Sequence, residues 1–386
     1  MAEALVNARV MLPSGLRDDV CVVIDDGAIR AVSSSPPPDA RLVDCAGKLL
    51  LPGFIDTQVN GGGGKLLNDD PSVATIATIA AAHRRYGTTG LLPTLISDDL
   101  AVVEAAIAAS DAAIEAGVPG VLGVHIEGPF LSPKRHGIHL ESKLRPLDDS
   151  VIDLLASARH GRTLVTLAPE RATPAQIARL VAAGVIVAAG HSDADYATVR
   201  GAIDAGVTGF THLFNAMSQL ANRAPGMVGA ALEDDATYAG VIVDGHHLHP
   251  ASLRVAIRAK GTDHLMLVTD AMPTVGVETD SFVLQGRAIH REGDMLKSDD
   301  GVLAGSTLTM ARAVANVIAQ GRVTLRQASA MASATPAAFL RLADTRGAIA
   351  AGLAADLVLL DDDFTVRETW IGGQTSGDKI WFAQSS

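Results

Sequence analysis

The sequence predicts an α/β protein: a (β/α)8 TIM-like barrel joined to a small β-sandwich domain built from both chain termini. Three observations predict it. Eight short apolar runs alternate with segments of helical spacing, four of those runs end abruptly in imidazole or carboxylate side chains, and both ends of the chain read as turn-rich β structure.

The 386 residues exceed the usual single-domain size, yet barrels of this type run to about 250 residues as one unit, which leaves room for one small companion. With 48% hydrophobic residues and only 3% aromatics, the core must be filled by Ala, Val, Leu and Ile, as suits layered helices and strands. Disorder is excluded on the same ground. The 31 Lys and Arg against 43 Asp and Glu give a net charge of -12, which disfavours nucleic acid and anionic lipid but permits a local basic pocket for an anion. Cys21 and Cys45 are the only cysteines and form no metal-spaced pair, so any metal ligands must be His and carboxylate, and a reducing compartment is expected. The start lacks a basic segment followed by an apolar core, and the longest apolar run, 180–190, is far short of the roughly 20 residues that span a bilayer. A soluble, cytoplasmic protein with no membrane partner is expected.

Residues 1–50 alternate short β runs with turns, among them 20–24, the hairpin-type turn Asp25-Asp26-Gly27 and 28–32. A Pro-rich break at 35–38 and a strand at 48–51 follow, and Pro52-Gly53 opens a different regime. Strands are expected at 53–56, 89–94, 121–126, 164–167, 185–189, 209–213, 239–243 and 265–269. Helices are expected between them, at 72–86, 99–117, 173–184 with Pro174 just inside its cap, and 193–206. Strand then helix, repeated, builds a parallel sheet. Beyond the eighth strand, 281–303 reads as a β excursion that could cover a site, and 306–320 returns to helix. The tail at 347–352, 355–360 and 370–373 is again turn-rich β and can pair with the N-terminal strands. The expected division is 1–52 together with 345–386 as the small β-sandwich domain, and 53–344 as the barrel. The Gly61-Gly62-Gly63-Gly64 run lacks the spacing and ending of a nucleotide loop, so a flexible loop at the barrel mouth is expected there.

Barrel chemistry sits at the C-terminal ends of strands. His125-Ile126-Glu127-Gly128-Pro129-Phe130, Gly190-His191-Ser192-Asp193, the segment from Thr211-His212 to Met217, and Val268-Thr269-Asp270-Ala271 all obey that rule. A doubly wound open sheet would instead gather its ligand at one switch point. Polar groups cost several kcal/mol in an apolar layer without partners, so four such ends imply one shared polar centre. A catalytic zinc takes about three His or carboxylate ligands and keeps a position open. Glu127, His191 and His212, at the ends of the third, fifth and sixth strands, meet that demand, although other divalent ions accept the same donors. Asp270 ends the eighth strand, where a carboxylate either takes a proton from an activated water and returns it to a leaving amine, or partners a ligating His.

These motifs, with Pro52-Gly53-Phe54-Ile55-Asp56, 244–247 and 303–307, closely resemble the amidohydrolase superfamily and, within it, the N-acetylglucosamine-6-phosphate deacetylase family. The resemblance spans nearly the whole chain. It implies metal binding by Glu127, His191 and His212, and an acid/base role for Asp270. It further implies substrate contacts from Ile138, His139, Asn215, Ala216, Arg223, His247 and the loop Leu303, Ala304, Gly305 and Ser306. Arg223 would take the phosphate, since a guanidinium offers paired donors, and His139 would reach the acyl oxygen and its developing charge. Without the resemblance, Arg223 reads equally as a surface cation, and His139 and His247 as solvent-facing. His136, His246 and His249 are expected to be bystanders.

One departure bears on the metal. Many superfamily members carry His-x-His at the end of the first strand, where this chain has Gln58-Val59-Asn60. An amide competes poorly with imidazole for zinc, so a single divalent ion, with Zn2+ the first candidate, is expected. The implied reaction is metal-dependent deacetylation of N-acetylglucosamine 6-phosphate, giving glucosamine 6-phosphate and acetate, in a homodimer. The alternatives are the same chemistry on N-acetylgalactosamine 6-phosphate, a different amidohydrolase such as an N-acyl-amino-acid deacylase, and a non-catalytic barrel that binds sugar phosphate, for which the altered first strand is the only hint.

Overall fold

The computed structural model describes residues 2–376. Eight parallel strands lie side by side in chain order: β1 Phe54–Val59, β2 Thr88–Ile96, β3 Gly123–Glu127, β4 Arg162–Leu167, β5 Ile186–Ala189, β6 Gly209–Phe210, β7 Tyr238–Val241 and β8 Leu265–Leu267. Each overlaps one of the eight expected runs. The ring closes between its first and last members just past their regular ends. Asp270 N–H donates to the Gln58 carbonyl, and the N–H groups of Asn60 and Gly61 both donate to the Ala271 carbonyl, each at 2.9 Å.

Among the described residues ten α-helices pack around the strands: α1 Val73–Arg84, α2 Leu100–Glu115, α3 Asp149–Leu155, α4 Pro174–Ala182, α5 Tyr196–Asp204, α6 Gly226–Glu233, α7 Pro250–Lys260, α8 Met310–Gly321, α9 Leu325–Ala332 and α10 Ala334–Phe339. Their starts follow local chemistry. Ser72 accepts from Thr75 N–H at the head of α1, and Thr173 and Gln176 form a reciprocal capping box ahead of Pro174 in α4. The helix expected from 193 starts only after Asp195, which caps Thr198 N–H. Asp193 is taken up elsewhere: its N–H donates to Glu170 and its carboxylate accepts from Arg135.

The expected strands at 209–213 and 265–269 both stop early. Regular structure ends at Phe210 and Leu267 because the next residues leave the extended conformation, with φ of 35° at His212 and 52° at Asp270. The glycine run also differs from expectation. Gly61 and Gly62 pair with Leu66 and Lys65 in a tight hairpin. Its backbone is anchored at several points: the Gly61 carbonyl meets His83 Nε2 at 2.9 Å, and Gly63 N–H donates to Val275 O at 2.8 Å. A segment whose polar groups are bonded on both sides is not a flexible loop.

The excursion after β8 is a four-stranded antiparallel sheet, Ser281–Leu284, Arg287–Glu292, Met295–Ser298 and Leu303–Ser306. Leu284, Ile289, Leu296 and Ala304 from this sheet share an apolar cluster with Leu66, Ile96, Ile138 and Met272 of the barrel mouth. The sheet is therefore fastened over the C-terminal face.

The chain ends also meet. Leu49–Pro52 pairs antiparallel with Leu357–Leu360, within a five-stranded sheet that includes Arg9–Leu12, Gly15–Arg17 and Val366–Trp370. A second sheet holds Glu3–Val6, Cys21–Asp25, Ala28–Ser33 and Arg41–Asp44. Leu5, Val22 and Ile24 of that sheet bury against Leu50, Leu357 and Trp370 of the first, which is the face-to-face packing of a sandwich. Of the expected terminal segment 345–386, residues 377–386 lie outside the described residues. Among the described residues no helix is long and apolar enough to cross a membrane.

Candidate active site

Glu127, His191 and His212 meet at the C-terminal mouth of the barrel, all three buried. Glu127 Oε1 lies 3.1 Å from His212 Nε2 and 3.3 Å from His191 Nε2, and the two imidazole nitrogens are 2.9 Å apart. Three ligand atoms roughly 3 Å from one another have the spacing of donors around one divalent ion with bonds near 2.1 Å. The tautomers support that reading. His191 Nδ1–H donates to the Arg135 carbonyl at 2.8 Å, so in the neutral ring its Nε2 keeps the lone pair and turns it toward His212. Two facing imidazole nitrogens beside a carboxylate fit a shared cation, and the donor set is that of a divalent metal.

His139 also brings a ring nitrogen within 4.8 Å of the ligand atoms of Glu127 and His191, and its ring stands edge-on to His191 at 4.5 Å. Its bonding differs, however. Nδ1 accepts from Ser97 N–H at 3.2 Å and lies 2.7 Å from Ser97 Oγ, so the neutral ring carries its proton on Nε2. It is a hydrogen-bond donor there and not a ligand. Gly128 makes this possible: its φ is +90°, and a Cβ there would stand 2.2 Å from Ser97 Oγ.

The first strand supplies two amides, Gln58 and Asn60, to the same centre. Gln58 Nε2 donates to both Glu127 oxygens at 3.1 Å and to Asp270 Oδ1 at 3.3 Å, and Asn60 Nδ2 donates to the same Asp270 oxygen at 2.6 Å. These amides hold two carboxylates side by side, so the altered strand is a built part of the site and no longer a hint of lost catalysis. Asp270 is raised to about 6, first by burial and then by the charge of Glu127, with His212 and His247 pulling the other way. Burial alone would lift Glu127 too, but the neighbouring imidazoles of His191 and His212 outweigh it and hold that carboxyl well below its ordinary range.

Backbone strain concentrates here. His191, His212 and Asp270 sit at φ of 48°, 35° and 52°, and Phe214 and Ala216 are also positive. Each such residue costs on the order of 1 kcal/mol or more, and persists only because its surroundings dictate it. The loop after β3 straps His191 in place, since Ser132 N–H donates to its carbonyl at 2.9 Å and Arg135 holds its ring.

The expected substrate contacts divide. Ile138 and His139 are buried beside the ligands. Asn215 and Ala216 follow His212, with Asn215 Nδ2 donating to the His212 carbonyl at 3.2 Å. His247 Nδ1 pairs with Asp244 Oδ2 at 2.7 Å. Leu303, Ala304, Gly305 and Ser306 form an edge strand along Asp270: Ser306 N–H donates to the Asp270 carbonyl at 2.9 Å, and a Cβ on Gly305 would stand 2.6 Å from that same oxygen. The Ser306 hydroxyl is spent on the Thr269 carbonyl, so it supports the site and does not reach into it. Arg223 is exposed on the loop ahead of α6, and the structure does not bring it to the other residues. Among the bystanders, His249 caps α7 through Ala251 N–H.

Sequence reading gave no role to Asp56 and Thr269, although both lie in the quoted motifs, and missed Ser97. Asp56 is fully buried, accepting from the N–H groups of Gln58 and Thr269 at 3.2 Å and from the Thr269 hydroxyl at 2.5 Å. Its only signal was a carboxylate inside the apolar run of the first strand.

The fold and this centre define a metal-site barrel hydrolase. The chain belongs to the amidohydrolase family, whose pattern matches residues 49–376. It is 45% identical over 375 residues to an N-acetylgalactosamine-6-phosphate deacetylase of Shewanella sp. (strain ANA-3), covering 95% of this chain and 94% of that one. The crystal structure of N-acetylglucosamine-6-phosphate deacetylase from Pasteurella multocida superposes with a TM-score of 0.94 at 33% identity, covering 97% of this chain and 99% of that one. A mutant of the Mycobacterium smegmatis N-acetyl-D-glucosamine-6-phosphate deacetylase, solved with N-acetyl-D-glucosamine-6-phosphate, gives 0.90 at 33% identity and the same coverages.

Proposed function

We propose that this chain hydrolyses the N-acetyl group of N-acetylglucosamine 6-phosphate, releasing glucosamine 6-phosphate and acetate. The observation that carries the reading is the meeting of Glu127, His191 and His212 within 3.3 Å, with Asp270 tied to Glu127 through the Gln58 amide. Glu127, His191 and His212 would hold one divalent ion, for which zinc suits the donors. Such an ion, when bound, supplies Lewis-acid polarisation and a water of lowered pKa.

The chain's own residues carry the rest. Asp270 takes the proton of the attacking water as the new C–O bond forms, then delivers it to the nitrogen as the C–N bond breaks. His139 presents Nε2–H to the charge developing on the acyl oxygen. Ile138, Asn215, Ala216, His247 and the 303–306 strand frame the sugar. Arg223 is assigned the phosphate, and its exposed position suits a homodimer in which the neighbouring copy completes the pocket. A cytoplasmic location fits the expected reducing compartment.

A second reading is the same reaction on N-acetylgalactosamine 6-phosphate, the substrate in the name of the 45% identical Shewanella relative. The two sugars differ only at one hydroxyl, so acetate release from both phosphorylated sugars and their unphosphorylated forms, with and without a chelator, separates them. Chelator-insensitive release would overturn the metal assignment, and indifference to the phosphate would overturn the role of Arg223.

A further inference from the structure

The covering sheet reaches into the site at one point, the turn between Ser281–Leu284 and Arg287–Glu292. Gln285 and Gly286 occupy its two central positions with φ of 48° and 83°, and Leu284 pairs with Arg287 across them. Both central residues are left-handed, as in a type I′ turn, which favours Asn or Gly at the first of them. A Gln there is locally the wrong residue, and its side chain shows what it does instead. Gln285 Nε2 donates to the Ser97 carbonyl at 2.8 Å and to Asp98 Oδ2 at 3.1 Å. Two residues on, the Arg287 guanidinium donates to the Ile138 carbonyl. Ser97 is the residue whose N–H and hydroxyl fix His139 Nδ1, and Ile138 is the residue before His139. One hairpin tip therefore grips both supports of the same imidazole.

We infer that Gln285 and Arg287 are positioning residues that fix His139 with its Nε2–H turned toward the acyl oxygen, an assignment that rests on the hydrolytic reading above. Local strain retained for the sake of two long-range bonds is the mark of a residue kept for something other than its turn. The apolar cluster under the sheet supplies the rigidity, since Ile138 and Leu284 belong to it together.

The test is kinetic and spectroscopic, on the metal-loaded full chain. Gln285→Asn suits the turn better but is one methylene too short, so its thermal midpoint is expected to hold or rise while kcat falls about ten-fold with KM little changed. In a His139→Ala background the same substitution is expected to change kcat by less than about two-fold, because residues acting through one group are not additive. Arg287→Met should behave alike. Equal losses in both backgrounds, or an unchanged kcat in Gln285→Asn, would overturn the inference. Imidazole nitrogen shifts give an arm that needs no turnover: the wild type should show His139 in the single Nε2-protonated form, and the double variant Gln285→Asn, Arg287→Met, which keeps His139, a mixture. A pure tautomer in the double variant also overturns it. A wild type that released no acetate from either sugar phosphate would sink the hydrolytic reading, and the nitrogen shifts would still decide this one.

Discussion

Asp270 concentrates the chemistry at the scale of single residues. Replacing it with Asn keeps the shape and the Asn60 contact but removes the proton acceptor, so turnover is expected to fall by about 10³-fold or more while the metal content of the purified protein stays unchanged. The charged form is the active base, and Asp270 stands at about 6. Activity is therefore expected to drop as pH falls through that region, and a cation beside it moves the limb lower still, never higher. A pH profile of kcat/KM in which this limb persists in Asp270→Asn would reassign the base. Asp56 gives a separate test. Burial raises it to about 7, above its unfolded value near 4, so the folded chain binds the extra proton and the resulting stability is full at low pH and lost as pH rises toward 7. Measured by urea unfolding, the wild type should gain about 2–3 kcal/mol on Asp56→Asn between pH 8 and pH 5. Glu127, His191, His212 and Asp270 could be picked out in advance because each closes an apolar strand with a polar group. Ser97 and Thr269 could not, because a hydroxyl raises no such contrast in a sequence.

Element by element, periodicity and caps carried the eight strands, and α1 and α4 began where Ser72 and Thr173 said they would. The misses come from tertiary context. At 209–213 and 265–269 the strands stop where His212 and Asp270 turn to positive φ, and at the start of α5 Asp193 is drawn off by Arg135 and Glu170. The glycine run escaped because its hairpin is fixed by His83 and Val275, neither visible from composition. The covering sheet makes its own prediction. Ile289 is fully buried in the small cluster that docks it, so Ile289→Ala should cost about 2–4 kcal/mol locally. Limited proteolysis should then cut within 281–303 before the barrel yields, with a parallel fall in kcat. Loss of the whole fold in one step, with no early cut, would mean the sheet is not a separately docked cover.

At the level of the whole molecule, the pairing of Leu49–Pro52 with Leu357–Leu360 ties the C-terminal segment to the strand that runs directly into β1. We propose that the chain divides into 1–52 with 345–386 as one small β unit and 53–344 as the barrel. A chain cut after Gly347 should leave Leu50 and Leu51 on an open edge and be recovered as aggregate, not as a free barrel. A soluble, active truncation would refute the dependence.

The seam between β1 and the residues after β8 also orders events in time. His212, the last of the three proposed ligands, leaves the ribosome well before Asp270, whose backbone and side chain are then both needed to join the two edges through Gln58 and Asn60. The three residues proposed to hold the ion are thus synthesised before the proposed proton carrier. The same clasp that locks the ring installs that carrier, so catalysis begins only with the finished circle.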